Sequence, residues 1–355
     1  MRILVVFTGG TIGCATPGED GVLEVLKSGF EEYFLIGNYD NIYDAEFHTT
    51  EPLNKLSENM TIADWNVLLK SLKKVNFSEY DGIVIAHGTD TMAFTAAMFG
   101  MLLSGIHIPV IFIGSNYALT DDRADGHQNF ADAVSFIKNV RLGGTFVIIK
   151  SKVYISTRIN QSRHFFNEFT SPNGEIFGTV TNGKFEFSSP STTAGENAGL
   201  KQAVKEFEQI YERTPIIEHI ETILESVFLV KPYVGLNYEC LSFPKEIKAV
   251  LHETYHSATI CEKTENMKFS LMEFYKRHKN AVSIYIAPFY SEIAEDTGAL
   301  KYSSTFNIIN AGVKTINDMS LESSYAKLLL AYSLYSDEKQ IDNFLNEPLF
   351  FEKIY

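Results

Sequence analysis

The sequence predicts an α/β protein with a larger, mostly parallel open sheet that has helices on both faces, followed by a smaller α/β domain. Three observations lead to this prediction. Strand-like and helix-like segments alternate along the chain, and two glycine-threonine turns directly follow buried strands. The chain is also long enough, at 355 residues with 45% apolar content, to bury a large core and to divide into two domains.

The first element is a strand. The apolar run Ile3–Val6 leads at once into Thr8-Gly9-Gly10-Thr11-Ile12-Gly13, which we call the first motif. Thr11 therefore lies where a strand ends and a glycine-permitted turn begins. A helix is next predicted from about 61 to 74, because Thr61–Asp64 resembles a capping box. Its apolar residues then follow at the spacing of one helix face, namely Trp65, Leu68, Leu69 and Leu72.

The same alternation continues to about residue 150. Short β-branched and aromatic runs predict strands at 82–86, 110–114 and 145–150, with helices at 91–103 and 128–138. The strand at 82–86 leads into His87-Gly88-Thr89-Asp90-Thr91-Met92, the second motif. Because ligands of open parallel sheets bind beyond the carboxyl ends of the strands, we expect Thr11 and Thr89 to line one cleft.

The pattern changes after residue 188. A loop rich in Ser, Thr and Gly precedes a charged helix predicted near 199–213. We therefore assign residues 1–190 to an N-terminal domain, 191–225 to an interdomain connection and 226–355 to a C-terminal domain. In the last of these, strands are predicted at 226–231, 249–255 and 283–287, and helices near 266–278 and 321–335, the second capped by Ser320.

Composition excludes several classes of protein. With 44 acidic and 30 basic residues the formal charge is −14, which leaves no basic surface for nucleic acid. No apolar run is long enough to span a bilayer, and the chain opens on a strand instead of a leader, so we expect a cytoplasmic protein. Three well-separated cysteines and nine histidines without ligand spacing predict reduced thiols and no metal site.

Both motifs resemble the two signature motifs of the bacterial-type L-asparaginases. These enzymes hydrolyse asparagine, and in some members glutamine, to the acid and ammonia. Further similar segments occur in the family's order, at 57–65, 109–114, 124–129, 169–173 and 312–328. The resemblance covers nearly the whole chain, is strongest before residue 175, and indicates a divergent member of the family.

The resemblance implies a role for each matching residue. Thr11 is the attacking nucleophile, and Thr89 polarises the attack or acts in the second step. Asp90 holds the α-ammonium group of the substrate and belongs to the activating set. Amide hydrolysis through a hydroxyl group needs such an activated oxygen, donors for the oxyanion, and groups that hold the substrate in line.

Substrate-binding roles follow in the same way. Ser57 is expected to bind the α-carboxylate, and Glu58 occupies a position suited to the ammonium group. Backbone N–H groups of the Gly10–Thr11 and Gly88–Thr89 turns are candidates for binding the substrate carboxylate and the oxyanion. Together these groups recognise a small amino-acid-like substrate.

The chain also departs from the family pattern. Gln161 aligns with a family lysine that accepts a proton, and a glutamine amide cannot do so near neutral pH. Arg163 stays charged, so it suits orienting an anion and not acting as a base. The family carries a tyrosine on the loop after the first motif, but this loop has none, and the nearest equivalent positions are Gly21 and Val22. The segment 255–259 lacks the Gly-Asn that family members show. The expected proton relay is therefore altered.

Each residue also has a structural interpretation. The first motif alone is commonly a strand-to-helix connection, Asp90 and the Ser57–Glu58 pair could cap helices, and His87 is expected to be a structural histidine hydrogen-bonded beside the cleft.

Three hypotheses about function follow. The first is an asparaginase-like amidohydrolase with a threonine nucleophile and an altered proton relay. The second is a catalytically silent protein of this fold that binds an amino acid or metabolite as a sensor or partner subunit. The third is a component of a larger assembly, as in transfer-RNA amidotransferases. We favour the first, with no cofactor because both half-reactions are acyl transfers, and the resemblance implies a homodimer or a homotetramer.

Overall fold

The structure is a computed structural model that describes residues 1–15, 24–25, 35–37, 44–140, 142–163, 168–188, 205, 207–289 and 302–354. For residues 15, 24–25, 161–163, 168 and 173 it describes the backbone alone. The chain divides into two compact units, Met1–Thr222 and Ile223–Tyr355.

The first unit contains an eight-stranded sheet and two small ladders. Its strands are β1 (Arg2–Phe7), β2 (Cys14–Ala15), β3 (Glu24–Val25), β4 (Glu46–Thr50), β5 (Gly82–Ala86), β6 (Pro109–Ile113), β7 (Gly144–Ile149), β8 (Lys152–Ile155), β9 (Asn160–Arg163), β10 (Glu168–Thr170), β11 (Gly178–Thr181) and β12 (Lys184–Phe187). The order in the large sheet is β12-β11-β8-β7-β6-β5-β1-β4, while β2 pairs with β3 and β9 with β10. The helices whose bounds lie within the described residues are α1 (Ile62–Leu72), α2 (Met92–Leu102) and α3 (Gly126–Val140).

Five neighbouring strands of the large sheet, β4, β1, β5, β6 and β7, run parallel. Every residue of β5, β6 and β7 is buried, which explains why these strands read as continuous apolar runs. The predicted mostly parallel sheet is therefore confirmed. Because the five strands run in one direction, the segments that follow them emerge at one edge.

The helices form where the sequence predicts them. The Thr61 N–H donates to Asp64 Oδ2 (2.8 Å) and the Asp64 N–H donates to Thr61 Oγ1 (3.4 Å), so the capping box at the start of α1 is confirmed. The predicted apolar face of α1 is buried. Helix α2 has ten of its eleven residues buried, as expected for a helix that is apolar all round.

Beyond β7 the sheet continues in antiparallel strands that the sequence analysis did not predict. Strands β7 and β8 are joined through Lys150 and Ser151, and β11 and β12 through Asn182 and Gly183. All four residues have positive φ, between 50° and 71°, which is the conformation of a two-residue hairpin turn. The dipeptide Asn182-Gly183 is a strong sequence signal for such a turn.

The second unit is built on a four-stranded parallel sheet in the order β13-β14-β15-β16. Its strands are β13 (Val227–Val230), β14 (Ala249–Glu253), β15 (Ser283–Phe289) and β16 (Lys314–Asn317). The helices in its described residues are α4 (Leu271–His278), α5 (Ser303–Ala311), α6 (Leu321–Leu334) and α7 (Glu338–Asn346). Ser320 caps α6 as predicted, because its hydroxyl accepts the Ser323 N–H at 3.2 Å. This smaller α/β unit confirms the predicted fold class.

The predicted helix at 199–213 falls largely on residues outside the described ones, although 207–210 are helical. Much of the predicted connection at 191–225 also lies there. No helix in the described part of the chain combines the length and the apolar composition that crossing a bilayer requires.

Within the described residues, each unit has one buried histidine near a strand end, and the burial of these two rings leads to a prediction of how stability depends on pH. His87 and His252 are fully buried, and burial lowers the pKa of each to about 4. In the unfolded chain the pKa is about 6.5. Above pH 6.5 both rings are neutral in the folded and in the unfolded chain, so the free energy of unfolding has its full value. As pH falls towards 4, the histidines of the unfolded chain take up protons that those of the folded chain do not.

We therefore expect the free energy of unfolding to drop by up to about 3 kcal/mol per buried histidine between pH 6.5 and pH 4. Urea unfolding at stepped pH measures this, and the window from 6.5 to 5 separates the histidines from most carboxylates. His219→Asn, at an exposed ring, is the matched control and should leave the slope unchanged. A free energy of unfolding that stays flat over that window contradicts the prediction.

Candidate active site

Strands β1 and β5 are neighbours, so the two motifs leave the sheet side by side. The last residues of these strands, Phe7 and Ala86, are paired in register. Directly beyond them, the backbone N–H and the hydroxyl of Thr8 both donate to Ala86 O, at 3.1 and 2.8 Å. The first motif is thereby fixed against the start of the second.

The two turns touch through glycines. A Cβ atom placed on Gly10 would lie 2.3 Å from the Gly88 Cα, a distance that no side chain tolerates. Gly10 also has φ 90° and ψ −176°, a conformation that favours glycine. The next residues along the chain from this contact are Thr11 and Thr89. The expectation that strand topology brings the two threonine-bearing turns together therefore agrees with the backbone geometry.

A third segment, following β4 at the edge of the sheet, completes the contact. The Gly10 N–H donates to Lys55 O (2.7 Å), and the Lys55 N–H donates to Thr8 O (3.2 Å). A Cβ on Gly88 would lie 2.4 Å from Ser57 Oγ, so Ser57 packs directly against the second turn. Ser57 is buried, with 3% of its surface exposed.

Ser57 is hydrogen-bonded to the second motif. The Asp90 N–H donates to Ser57 Oγ (3.2 Å), the Ser57 hydroxyl donates to Asp90 Oδ2 (3.4 Å), and the Thr91 hydroxyl donates to Ser57 O (2.9 Å). Asp90 is exposed, whereas Thr11 and Thr89 are half-buried. The arrangement places a carboxylate at the mouth of a polar site, where it can attract a cationic group.

The turn after β6 also reaches the site, which the sequence analysis had recognised only as part of the resemblance. A Cβ on Gly114 would lie 3.0 Å from Thr89 Cγ2. The Gly114 carbonyl is held by the Asn129 side-chain amide at 2.9 Å. The signal was a third strand followed by a glycine and a hydroxyl residue, here Gly114-Ser115.

The two threonines of the turns, Thr11 and Thr89, keep polar groups that no described residue binds. Within the described residues, Thr11 and Thr89 have no hydrogen-bond partner for either the backbone N–H or the hydroxyl group. Half-buried donors without partners are available to a ligand. The site can therefore offer two hydroxyl oxygens and two backbone N–H groups beside one carboxylate.

Other predicted site residues are placed less completely. Glu58 is exposed and shares the 3₁₀ turn of Ser57. Gln161 and Arg163 lie on β9, but their side chains are outside the described part of the structure, as are Gly21 and Val22 entirely. Among the described residues, no group of three or more His, Cys, Asp or Glu side chains is placed to hold a metal ion.

Fold and site together define an α/β protein of the class that gathers polar groups beyond the carboxyl ends of a parallel sheet. Comparison with known proteins gives the family. The family model described as Asparaginase, N-terminal matches residues 2–193. The chain belongs to this family.

Relatives and solved structures support the assignment. The L-asparaginase 1 of Escherichia coli (strain K12) is 32% identical over 174 residues, which are 48% of this chain and 51% of that protein. The chain thus spans about half the length of this relative. The thermostable L-asparaginase from Thermococcus kodakarensis has the same fold, with a TM-score of 0.76 and 21% identity over the whole of both chains. A probable cytoplasmic L-asparaginase from Campylobacter jejuni gives a TM-score of 0.67 at 21% identity, covering 97% of this chain and 98% of that one.

Proposed function

We propose that this protein is an asparaginase-like amidohydrolase, which releases ammonia from an amide of a small amino acid such as asparagine or glutamine. The observation that carries the proposal is the backbone contact between Gly10 and Gly88, which brings the turns of Thr11 and Thr89 together at the carboxyl edge of the sheet. The names of the E. coli and T. kodakarensis relatives support the same reaction.

In the proposed reaction, the Thr11 hydroxyl oxygen attacks the carbonyl carbon of the substrate amide. The amide nitrogen takes up a proton and leaves as ammonia, and water then hydrolyses the threonine ester to free the acid. Backbone N–H groups of Thr11 and Thr89 are suited to stabilise the negative oxygen of the tetrahedral intermediates, since within the described residues neither has a protein partner.

Activation differs from the family pattern in this proposal. Thr89 and Asp90 form the activating set, and Gln161 orients a reacting group by hydrogen bonds in place of accepting a proton. The exposed carboxylate of Asp90 also binds the α-ammonium group of the substrate. Its hydrogen bonds with Ser57 hold the groups that bind the α-ammonium and the α-carboxylate next to each other. Ser57, Glu58 and Arg163 complete the recognition of an amino-acid head group.

The wider organisation is part of the same proposal. Residues 1–190 form the catalytic domain, 191–225 the connection and 226–355 the second domain. The protein acts as a homodimer or homotetramer without a cofactor. We place it in the cytoplasm, in line with the name of the C. jejuni relative.

Ammonia release from purified protein tests the function. We expect release from at least one member of a panel containing L-asparagine, L-glutamine and related amides, with one equivalent of acid formed per ammonia. Thermal unfolding with the same compounds runs in parallel, because a ligand that binds the folded state raises the melting temperature with or without turnover. Stabilisation without any ammonia supports the catalytically silent alternative, and neither effect with any compound contradicts the proposal.

A further inference from the structure

His87 is buried beneath the second motif, and one of its ring nitrogens has a fixed role. The ring is 0% exposed, and its Nδ1 lies 2.8 Å from Gly88 O. A carbonyl oxygen only accepts hydrogen bonds, so Nδ1 carries the hydrogen and donates. The neutral ring therefore has its lone pair on Nε2, because burial lowers the pKa of His87 to about 4.

The second ring nitrogen contributes unfavourably to stability. Among the described residues, Nε2 of His87 is a buried acceptor without a hydrogen-bond partner. Leaving a buried acceptor unpaired is unfavourable. His252 in the second unit makes a similar Nδ1 bond to Glu253 O (2.6 Å), but its Nε2 accepts from the Tyr238 hydroxyl at 2.8 Å. For His87, the bond to the Gly88 carbonyl is the one hydrogen bond of the ring within the described part of the chain.

That bond determines where the next N–H group points. In a planar trans peptide, the carbonyl of Gly88 and the N–H of Thr89 point to opposite sides of one rigid unit. Holding the Gly88 oxygen towards the buried ring therefore turns the Thr89 N–H away from the core. This N–H has no hydrogen-bond partner within the described residues.

The first motif holds its corresponding peptide differently. Gly10 O accepts from the Gly13 N–H (2.9 Å) and from Cys14 Sγ (3.2 Å), so the Gly10–Thr11 peptide is held by its own 3₁₀ turn. Residues 89–91 form a turn that leads into helix α2, but within the described residues no backbone N–H group makes a hydrogen bond to the Gly88 carbonyl. Among the described residues, the group that makes a hydrogen bond to this carbonyl is the side chain of His87.

We propose that His87 is a positioning residue, which fixes the Gly88–Thr89 peptide so that the Thr89 N–H is already aimed at the substrate oxygen that becomes negative. The inference rests on the proposed amidohydrolase function. In this proposal His87 transfers no proton. Its ring affects the reaction only by fixing the orientation of the Gly88–Thr89 peptide.

Two variants separate positioning from structure. His87→Leu keeps an apolar side chain but removes the donor, and His87→Asn restores an amide N–H near the place of Nδ1. With the leucine variant, kcat for ammonia release should fall about 10²-fold while KM changes less than about threefold, as for the loss of one oxyanion donor. The asparagine variant should recover at least about tenfold of that loss.

The matched control is His252→Leu, which removes a similar buried bond in the second unit. It should lower the melting temperature without a comparable fall in kcat per folded enzyme. If His87→Leu behaves like this control, in an active wild-type background, the inference is wrong and the proposed function stands.

Nitrogen-15 NMR decides the inference even if the wild-type protein releases no ammonia, an outcome that would count against the proposed function alone. We expect His87 at pH 7 to be the neutral Nδ1–H tautomer, and the Thr89 amide resonance to shift in His87→Leu and return in His87→Asn. An Nε2–H tautomer, or a Thr89 resonance that does not respond to the leucine variant, overturns the inference.

Discussion

Replacement of Thr11 by valine should lower kcat for ammonia release by about 10⁴-fold or more, the size of effect expected when a catalytic nucleophile is removed. Valine has nearly the shape of threonine but no hydroxyl group, so the half-buried turn and its contact with Gly88 should survive. Steady-state kinetics on the best amide substrate measures the effect, with circular dichroism to show that the variant is folded.

Two further variants sharpen this result. Thr11→Ser retains a hydroxyl group and should keep measurable turnover. Thr8→Val changes a residue of the same motif whose hydroxyl is buried and donates to Ala86 O. This change should lower the free energy of unfolding by about 1 kcal/mol and leave the rate of the chemical step unchanged. A Thr11→Val protein that turns over at the wild-type rate rules out Thr11 as the nucleophile.

The second large effect concerns the stability of the second unit. Lys327 on α6 and Glu352 form an ion pair at 2.6 Å in which both side chains are 0% exposed. Glu352 also accepts the N–H groups of Leu349 (2.8 Å) and Phe350 (2.7 Å), and Lys327 donates to Glu347 O. Lys327→Met should therefore lower the free energy of unfolding by about 3–5 kcal/mol, because it leaves a buried carboxylate without its cation.

Urea unfolding of matched variants tests this explanation. The double variant Lys327→Met with Glu352→Gln removes both charges but keeps an acceptor for the backbone N–H groups, so it should be more stable than Lys327→Met alone. Lys276→Met breaks an exposed ion pair with Glu273 (2.7 Å) and should cost no more than about 1 kcal/mol. Equal effects of Lys327→Met and Lys276→Met would contradict a role for burial.

Local patterns were sufficient to predict the strands that lead into the two motifs and the helix α1. Strands β1, β5, β6 and β7 are continuous apolar runs, and α1 carries both its cap and its buried face in the sequence. The glycine-threonine turns were recognisable for a related reason, since glycine at Gly10 is required by a positive φ and by a close contact. These features depend on residues close together in the chain.

Other features depend on strand order, which no local pattern contains. Strand β4 is a half-exposed edge strand with polar residues, and it became recognisable only through its pairing with β1. The contacts of Lys55 and Gly114 with the two motifs arise because β4 and β6 flank β1 and β5. The hydrogen bonds between Ser57 and Asp90 join residues 33 positions apart. The family resemblance implied that both residues bind one substrate, but it did not imply these bonds.

The most direct measurement of the central claim is mass spectrometry of the protein quenched in acid during turnover. If Thr11 is the nucleophile, a fraction of the protein should carry the acyl part of the substrate as an ester, located on the peptide that contains Thr11 and absent from Thr11→Val. An acyl group attached to a different residue, or full turnover by a Thr11→Val protein that carries no adduct, would contradict the account.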